Sequence, residues 1–492
     1  MGNLKAHSIK KNFILSTAYQ LLLMFTPLIT TPYVSRVLGA EGVGIYSYTL
    51  SVQTYFALFA ALGVDSYGTR EIARNRDCEE KRSRLFWEIE LLTVVTALVC
   101  IAVWGIVVAL SGRYKVFYRI LTLNIIAVPV NISWFYTGIE QFRHIVVQNS
   151  IFKLLGVIAV FAFVKDSEDV AVYMLIMSLA TLLANISMWV RVPLYVRKIS
   201  FKSLDIKKHF RETIVYFIPT IATSIYTVLD KTLLGLIVKS DRENGYYEQA
   251  SKIVNMMKAV TFTALNNVLG ARISYLFAGE KYDEIKERIK FSMDYIFFMG
   301  IGICFGLTGV APVLVPLFLG PGYDRVVTLI RLLSPIVLIV GVSSCLGMQY
   351  YNPVGLRKRS AGYIIAGSAV NLVLNLLLIP RYAGYGAAVA SIAAETVIMV
   401  LYLRNCSGFM TAGICAGLAW KKLIAGILMA VLVIMTGRIV KNRIAAAVCQ
   451  VTAGVLFYTG LLFLMRDSFV TAAAERLRYK FIRKKVGENS EC

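Results

Sequence analysis

Two opposite charges stand inside the apolar stretch "TSIYTVLDKTLLGLIV" (residues 223–238), where Lys231 follows Asp230. A charged side chain at the centre of a membrane helix costs about 2.5–3.5 kcal/mol on insertion scales, so such residues are kept where they pair, bind an ion or meet a polar substrate. At 100° per residue, Asp230 shares a stripe about 80° wide with four uncharged polar residues: Tyr216, Thr220, Thr223 and Thr227. The pattern therefore offers ion pairing, cation binding by the carboxylate or anion recognition by the lysine.

Two further apolar segments carry polar stripes of the same kind. Residues 247–275 place Glu248, Lys252, Asn255, Thr263 and Asn266 on one face, and residues 12–34 align Tyr19, Thr26, Thr30 and Tyr33. Such stripes face a packed bundle or a water-filled cavity rather than lipid. Pro27 and Pro219 can bend their helices, as is common in moving membrane helices.

The candidate site residues fall into three groups by chemistry. Lys153 and Arg272 lie near estimated segment ends, as Arg331 does, so snorkelling to the membrane surface is an alternative for each. The predicted anion-binding cations are Lys153, Lys231, Lys252, Lys258 and Arg272. The predicted coupling or ion-pair carboxylates are Asp230, Glu248 and Glu395, and the predicted polar lining is Tyr19, Thr223, Thr227, Asn255 and Asn266. We predict no metal site and no catalytic residue.

The elements that position these residues are predicted to be membrane-spanning helices. The chain is 57 % hydrophobic, its mean hydropathy is +0.66, and apolar stretches close to the roughly 20 residues of a bilayer span recur along its 492 residues. The segments predict an all-α polytopic protein with about fourteen spans: 12–34, 44–64, 87–111, 117–139, 149–165, 170–194, 213–238, 247–275, 292–319, 326–351, 362–380, 384–404, 413–436 and 443–465. The first of these is too long for a signal-peptide core and lacks a cleavage site, so we interpret it as a span.

Basic loops set the predicted orientation. Lys and Arg concentrate in alternate loops, which include Arg82, Lys207 and Lys358, and in the tail after Arg466. By the positive-inside rule these loops and both termini face the cytoplasm. The net charge of +23 then reflects topology and lipid headgroup contacts rather than nucleic-acid binding.

A weak internal repeat divides the chain. "RVLG" at 36–39 corresponds to "TLLG" at 232–235, "GIY" at 44–46 to "GYY" at 245–247, and Arg70 to Arg272. The order predicts two six-helix lobes of equal topology, related by an axis along the membrane normal. The predicted domains are an N-terminal lobe (1–200), a C-terminal lobe (201–405), two extra spans (406–470) and a basic cytoplasmic tail (471–492).

Several stretches resemble one family of transporters. "TTPYVSRVLGAEGVGIYSYTLSV" followed by "GVDSYGTREIARNRD" resembles the opening of Wzx-type polysaccharide-repeat-unit flippases. These belong to the polysaccharide transporters of the multidrug/oligosaccharidyl-lipid/polysaccharide exporter superfamily. "WFYTGIEQFR", "YTVLDKTLLG", "GYYEQASKIV" and "RISYLFAGE" resemble later parts of the same family, in order along nearly the whole chain.

The resemblance implies a non-enzymatic flippase of the bacterial inner (cytoplasmic) membrane. Its two lobes would enclose a cavity with alternating access, and its substrate would be an oligosaccharide on polyprenyl pyrophosphate. The cavity lysines would meet the pyrophosphate, and the carboxylates would balance them or bind a coupling proton or sodium ion. Membrane lipids and the polymerase and chain-length proteins of the same pathway are the expected partners, and no cofactor is expected.

Three other functions remain open at this point. A multidrug antiporter would share the fold, but its cationic cargo favours an acidic cavity. A flippase for lipid II would be expected to carry arginines in its first spans, and none lies between Asn12 and Val34. A membrane polymerase or glycosyltransferase is disfavoured because no DxD motif, P-loop or large catalytic loop appears, and the three histidines His7, His144 and His209 lie near cytoplasmic flanks.

Overall fold

The computed structural model describes residues 9–199 and 204–475, and these residues form helices joined by short turns. The α-helices are α1 (Ile9–Ala61), α2 (Val64–Arg74), α3 (Glu79–Leu110), α4 (Lys115–Val130), α5 (Ser133–Gly138), α6 (Phe142–Phe163), α7 (Val170–Met188), α8 (Ile206–Val238), α9 (Asp241–Ala278), α10 (Tyr282–Phe318), α11 (Asp324–Leu333), α12 (Pro335–Leu346), α13 (Arg357–Tyr382), α14 (Gly384–Arg404), α15 (Ala412–Ile439) and α16 (Arg443–Leu464). The predicted all-α class is confirmed.

Eleven helical segments within the described residues are long and apolar enough to cross a membrane, so the chain is a multi-pass membrane protein. The predicted count of fourteen spans is not itself confirmed. One of the eleven segments, Tyr19–Arg74, contains two predicted spans, and the charge-bearing helices α8 and α9 are not among the eleven. All fourteen predicted segments nevertheless fall on helical backbone, apart from short breaks.

Two predicted spans are continuous with one another in α1. The backbone stays helical on both sides of Gly39, which alone departs from helical geometry with φ 66°. Glycine has no Cβ and adopts this left-handed φ without the strain that other residues meet. The kink therefore separates the two predicted spans without the loop that hydropathy suggested between 34 and 44.

The chain divides into two compact units, residues 1–248 and 249–492, with the boundary inside α9. In the first unit, α1, α3, α4, α6 and α7 bury a core that includes Leu38, Trp104, Leu121, Val160 and Met174. A second cluster of aromatic residues joins α2, α3 and α5 through Tyr67, Phe86, Trp134, Phe135 and Tyr136.

The second unit has a core of its own between α10, α15 and α16. Val310, Met429, Val433, Tyr458 and Leu462 pack together there. The two helices predicted as extra spans therefore pack against α10. In both units, large apolar side chains remain exposed, among them Leu110, Ile158, Ile439 and Leu464. A bilayer provides the apolar surroundings that such surfaces require.

Candidate functional site

The opposite charges of α8 and α9 form an ion pair beside the turn that joins these helices. Lys231 Nζ lies 2.5 Å from Glu248 Oε2, and the two side chains are 25 % and 18 % exposed. Ser47 Oγ of α1 donates a hydrogen bond to the same carboxylate oxygen at 3.0 Å. α8 ends at Val238 and α9 begins at Asp241. Lys231 and Glu248 are equally far from the turn between these helices, so the antiparallel pairing of the helices brings the two side chains together.

Asp230 points to a different neighbour from Lys231. Its side chain is 7 % exposed, and Tyr247 Oη donates a hydrogen bond to its Oδ2 at 2.5 Å. The amide of Asn244 donates to the carbonyl of Lys231 at 2.8 Å. The two adjacent charges of the sequence are thus satisfied separately, and both lie within a polar junction that we call the α8–α9 junction (Asp230, Lys231, Asn244, Tyr247 and Glu248).

The α8–α9 turn and the kink of α1 contact each other through residues at repeat-equivalent positions. Arg242 pairs with Glu41 at 3.2 Å, and this pair, like that of Glu248 with Ser47, joins residues 201 positions apart. A Cβ on Gly44 would collide with the carbonyl of Asp241, and a Cβ on Gly245 would collide with the carbonyl of Ala40. Reciprocal contacts of this kind are typical of a two-fold relation, and their offset equals that of the "GIY" and "GYY" anchors.

The polar stripe of α1 meets α6. The Tyr19 hydroxyl is hydrogen-bonded to the Asn149 side chain, and Tyr33 Oη donates to the carbonyl of Val164 at 2.6 Å. These two contacts show that α1 and α6 run side by side in the same direction. Thr26 and Thr30 hydroxyls instead donate to carbonyls of their own helix, at 2.6 and 3.0 Å.

Lys153 lies one turn beyond Asn149 on α6, and it is partly buried without an ion-pair partner among the described residues. The exposed apolar side chains Leu154, Leu155 and Ile158 lie on the opposite side of the helix, whereas Asn149 and the buried Val160 share its face. Lys153 therefore faces the bundle and not the lipid surface, which argues against the snorkelling alternative.

The remaining predicted site residues that the structure describes lie in the second unit or on exposed surface. Lys258 of α9 and Glu395 of α14 interact electrostatically within the second unit. Lys252 is partly buried, whereas Asn255 and Thr227 are exposed. The side chains of Thr223, Asn266 and Arg272 lie outside the described residues.

A buried charged network that the sequence analysis missed joins α10, α15 and the segment after α16. Lys422 is 0 % exposed, and its ammonium donates to Asp294 Oδ1 at 2.6 Å, Asp467 Oδ2 at 2.7 Å and the carbonyl of Leu418 at 2.9 Å. Asp467 Oδ1 accepts from backbone N–H groups that follow it, and Asp294 Oδ2 accepts from Ser468. The three lysine donors are all used. Asp294 stands near the start of the predicted span 292–319 and Asp467 just after the predicted span 443–465, so these two resembled flanking charges, whereas Lys422 lies inside the predicted span 413–436 and was not selected.

A buried histidine links α8 to α2 and α3 and was also missed as a contact. His209 is 1 % exposed, its Nε2 lies 2.9 Å from Glu88 Oε2, and its Nδ1 lies 2.6 Å from Tyr67 Oη. Glu88 also accepts from Arg84 Nε at 2.9 Å and from the backbone N–H of Asp205 at 3.1 Å. These bonds fix the beginning of α8 against α2 and α3.

One family model and two relatives match this chain in sequence. A sequence model of the family described as "Polysaccharide biosynthesis protein" matches residues 9–275, which is more than half of the chain. A putative O-antigen transporter of Escherichia coli (strain K12) is 24 % identical over 406 residues, covering 81 % of this chain and 97 % of the relative. A putative O-antigen transporter of Shigella dysenteriae is 22 % identical over 400 residues, covering 80 % and 99 %.

Two solved structures share the fold. The structure titled "Lipid II flippase MurJ, inward closed conformation" aligns with a TM-score of 0.71 at 14 % identity, over 93 % of this chain and 99 % of that one. An inward-facing multidrug resistance transporter of the MATE family aligns with a TM-score of 0.59 at 12 % identity, over 87 % and 99 %. At these identities the likeness concerns the fold alone.

Proposed function

Because the chain belongs to the polysaccharide biosynthesis protein family, we propose that it moves lipid-linked oligosaccharides across the bacterial cytoplasmic membrane. The substrate is a short oligosaccharide on polyprenyl pyrophosphate. Support comes from the two O-antigen transporters that resemble the chain over about four fifths of its length. Membrane lipids surround the transporter, and the polymerase and chain-length proteins of the pathway are its candidate partners.

The single observation that carries the substrate assignment is the position of Lys153. It is an inward-facing cation with no ion-pair partner among the described residues, and the Tyr19–Asn149 pair lies one turn away. A pyrophosphate cannot enter hydrocarbon without compensation, and a charge-assisted hydrogen bond from a lysine supplies it. Hydroxyl and amide groups nearby replace the water that the sugars lose, while the polyprenyl chain stays in the bilayer.

We place one gate of an alternating-access cycle at the α1 kink and the α8–α9 turn. Gly44 and Gly245 let the backbones approach closely there, and Glu41–Arg242 and Ser47–Glu248 add polar contacts that can be broken. Opening would separate α1 from α8 and α9 at this contact. Cross-linking of cysteines introduced at Glu41 and Arg242 should then block transport reversibly, and unchanged transport after cross-linking would contradict the gate.

Asp230 is the proposed coupling carboxylate, for a proton or a sodium ion. It is buried and accepts a hydrogen bond from Tyr247. A change in the charge of Asp230 would therefore alter the contact between α8 and α9. Asp230→Asn should keep the shape and remove the dependence of transport on an ion gradient. Retained dependence would exclude Asp230 from coupling and leave Glu395, beside Lys258, as the candidate.

The orientation follows from the basic loops, with both termini in the cytoplasm. Single cysteines at Arg82, Lys207 and Lys358 should react with an impermeant reagent only after the membrane is opened. Labelling of any of them in intact cells would show that its loop faces the outside of the cell.

The substrate class is tested with purified protein in vesicles. Fluorescent polyprenyl-pyrophosphate oligosaccharide should become accessible at the opposite leaflet at a rate that depends on protein, whereas lipid II and a lipophilic cation should not. Transport of lipid II alone would assign the chain to that substrate, and transport of the cation alone would make it an antiporter.

A further inference from the structure

A cavity of about 270 Å³ lies within the first unit, between α1, α2, α3, α4, α5 and α7. Lys153 and the α8–α9 junction are not part of its lining. Pockets that bury drug-sized ligands measure about 300–1,000 Å³. This cavity is therefore suited to a single small group and not to a whole oligosaccharide.

Much of the cavity wall is aliphatic. The aliphatic side chains that α1 and α2 contribute are Ala57, Leu58, Ala61 and Val64. Trp134 of α5 also lines the cavity, but its ring is only 2 % exposed because it packs against Phe86 and over Gly68. Apolar C–H groups of a ligand would therefore meet aliphatic carbon rather than the face of an aromatic ring.

The helices α4 and α7, with the residue that follows α4, supply amide groups. Asn124 makes no hydrogen bond to a described residue, so its N–H donors and its carbonyl oxygen are all available. Asn131 Oδ1 accepts from the backbone N–H of Ser133 at 3.1 Å, which leaves Nδ2 to donate. Asn185 Nδ2 donates to the carbonyl of Ala127 at 2.9 Å, which leaves Oδ1 to accept. A ligand therefore meets donors as well as acceptors.

A hydroxyl and a carboxylate add further acceptors. Thr181 Oγ1 donates its one proton to the carbonyl of Met177 at 3.0 Å, so lone pairs remain. Asp65 lines the cavity from α2 and has no ion-pair or hydrogen-bond partner among the described residues. The described lining includes no lysine or arginine, so a pyrophosphate would be repelled there.

This combination of groups selects one class of ligand. A hydrocarbon chain would leave the free amide groups without partners, which is costly. A bare cation would meet amide N–H groups, and an anion would meet the carboxylate. A sugar ring has apolar C–H groups and hydroxyls that each donate and accept, so it satisfies both the aliphatic and the polar parts of the lining.

The cavity lies at the same level of the first unit as Lys153. His144 Nε2 at the beginning of α6 lies 3.4 Å from the carbonyl of Met188 at the end of α7, and a Cβ on Gly156 would lie 3.1 Å from Cβ of Ala180. The two helices therefore run antiparallel. Lys153 lies between these two contacts on α6, and the α7 residues that line the cavity lie between them on α7.

We propose that this cavity holds one uncharged sugar residue of the transported oligosaccharide while Lys153 contacts the pyrophosphate, a role that rests on the function proposed above. Asn124 donates to and accepts from the sugar hydroxyls, Asn131 donates and Asn185 accepts. Asp65 accepts from a hydroxyl and repels an acidic sugar. The cavity thus determines which oligosaccharides are recognised, whereas Lys153 recognises the pyrophosphate that they all share.

The test compares the binding of two lipids to the purified full-length protein in detergent. One is polyprenyl pyrophosphate carrying the oligosaccharide, isolated from cells that produce it, and the other is sugar-free polyprenyl pyrophosphate. The wild type should bind the sugar-bearing lipid more tightly. Asn124→Ala should weaken that binding about tenfold and leave binding of the sugar-free lipid unchanged, whereas Lys153→Ala should weaken both.

The variants separate the sugar site from the proposed function. Asn124 makes no hydrogen bond to a described residue, so its truncation should not impair folding. Asn405→Ala removes an exposed amide outside the cavity and should leave both affinities unchanged. Equal binding of the two lipids by the wild type, or full binding of the sugar-bearing lipid by Asn124→Ala, would overturn the sugar site and leave the proposed function standing. Binding of neither lipid by the wild type would overturn both.

Cysteine labelling gives an independent readout of the position of the sugar. Thr181 is exposed and lines the cavity, so Thr181→Cys, in a chain whose own cysteines are replaced by serine, should react with a maleimide. The sugar-bearing lipid at about ten times its Kd should slow this reaction roughly tenfold, because about nine tenths of the sites are then filled. The sugar-free lipid should not slow it. Equal rates with the two lipids would overturn the proposal.

Discussion

Lys422 and Lys153 both lie in apolar helices, but they differ in burial and in the partners of their ammonium groups. Lys422 is fully buried, and two carboxylates and a carbonyl accept its three donors. Lys153 is partly buried on the inward face of α6 and has no ion-pair partner among the described residues. Lys422 has no donor left for a ligand, whereas no described carboxylate neutralises the charge of Lys153.

A charge inside a membrane segment is therefore not by itself evidence of a binding site. What matters is whether the protein already satisfies the charge, because a buried network whose donors are all used is structural, whereas a lysine with free donors can bind a ligand. The Lys231–Glu248 pair of the α8–α9 junction lies between these cases, since it is paired but partly exposed.

The largest expected effect on stability is that of Lys422→Met. This change leaves Asp294 and Asp467 facing each other without a cation, and breaking a buried ion pair in this way costs about 3–5 kcal/mol. Denaturant unfolding in detergent should show the loss, and Lys421→Met, at the partly exposed neighbour, should show little. A loss no larger than that of Lys421→Met would contradict the structural role of Lys422.

Asp294→Asn should have a smaller effect. The amide oxygen can still accept from Lys422, Asp467 still supplies one charge, and the Ser468 hydroxyl can turn to accept from the new amide N–H. The loss is therefore the difference between charged and neutral hydrogen bonds, about 1 kcal/mol. The same unfolding measurement checks it. A loss as large as that of Lys422→Met would mean that Asp294, and not the pair of carboxylates, holds the network together.

The Lys231–Glu248 pair should contribute least, at about 0.5–1 kcal/mol of coupling, because exposure weakens its attraction. A double-mutant cycle with Lys231→Met and Glu248→Gln measures this term directly. A coupling energy near zero would mean that the pair does not contribute to stability. Coupling above about 3 kcal/mol would place it with the buried network of Lys422.

The fold could be predicted from the sequence because hydropathy reports which residues avoid water. All fourteen predicted segments are helical, and the resemblance to polysaccharide transporters is confirmed by the family match. Hydropathy does not report where the backbone bends. It therefore gave no indication that α1 continues through Gly39, or that residues 326–351 divide into α11, α12 and a π-helical turn at Gly347–Tyr351.

The site was harder to predict because its contacts join residues far apart in the sequence. Lys231 and Glu248 are both predicted site residues, but in different groups, since only the α8–α9 turn shows that they meet. Lys422 lies 128 residues from Asp294, and nothing in the sequence indicates that the two side chains meet. The roles of Lys252, Lys258, Arg272, Glu395 and the polar lining residues stay predictions.

The central claim is that Lys153 meets the pyrophosphate of the substrate, and flipping of labelled polyprenyl-pyrophosphate oligosaccharide by Lys153→Ala tests it most directly. The loss of a charged hydrogen bond, about 1.5–3 kcal/mol, should weaken apparent substrate affinity roughly ten- to a hundred-fold without lowering the unfolding free energy. Lys153→Arg should retain part of the affinity, and Lys81→Ala, at an exposed lysine of α3, should retain all of it. Wild-type affinity in Lys153→Ala would contradict the claim.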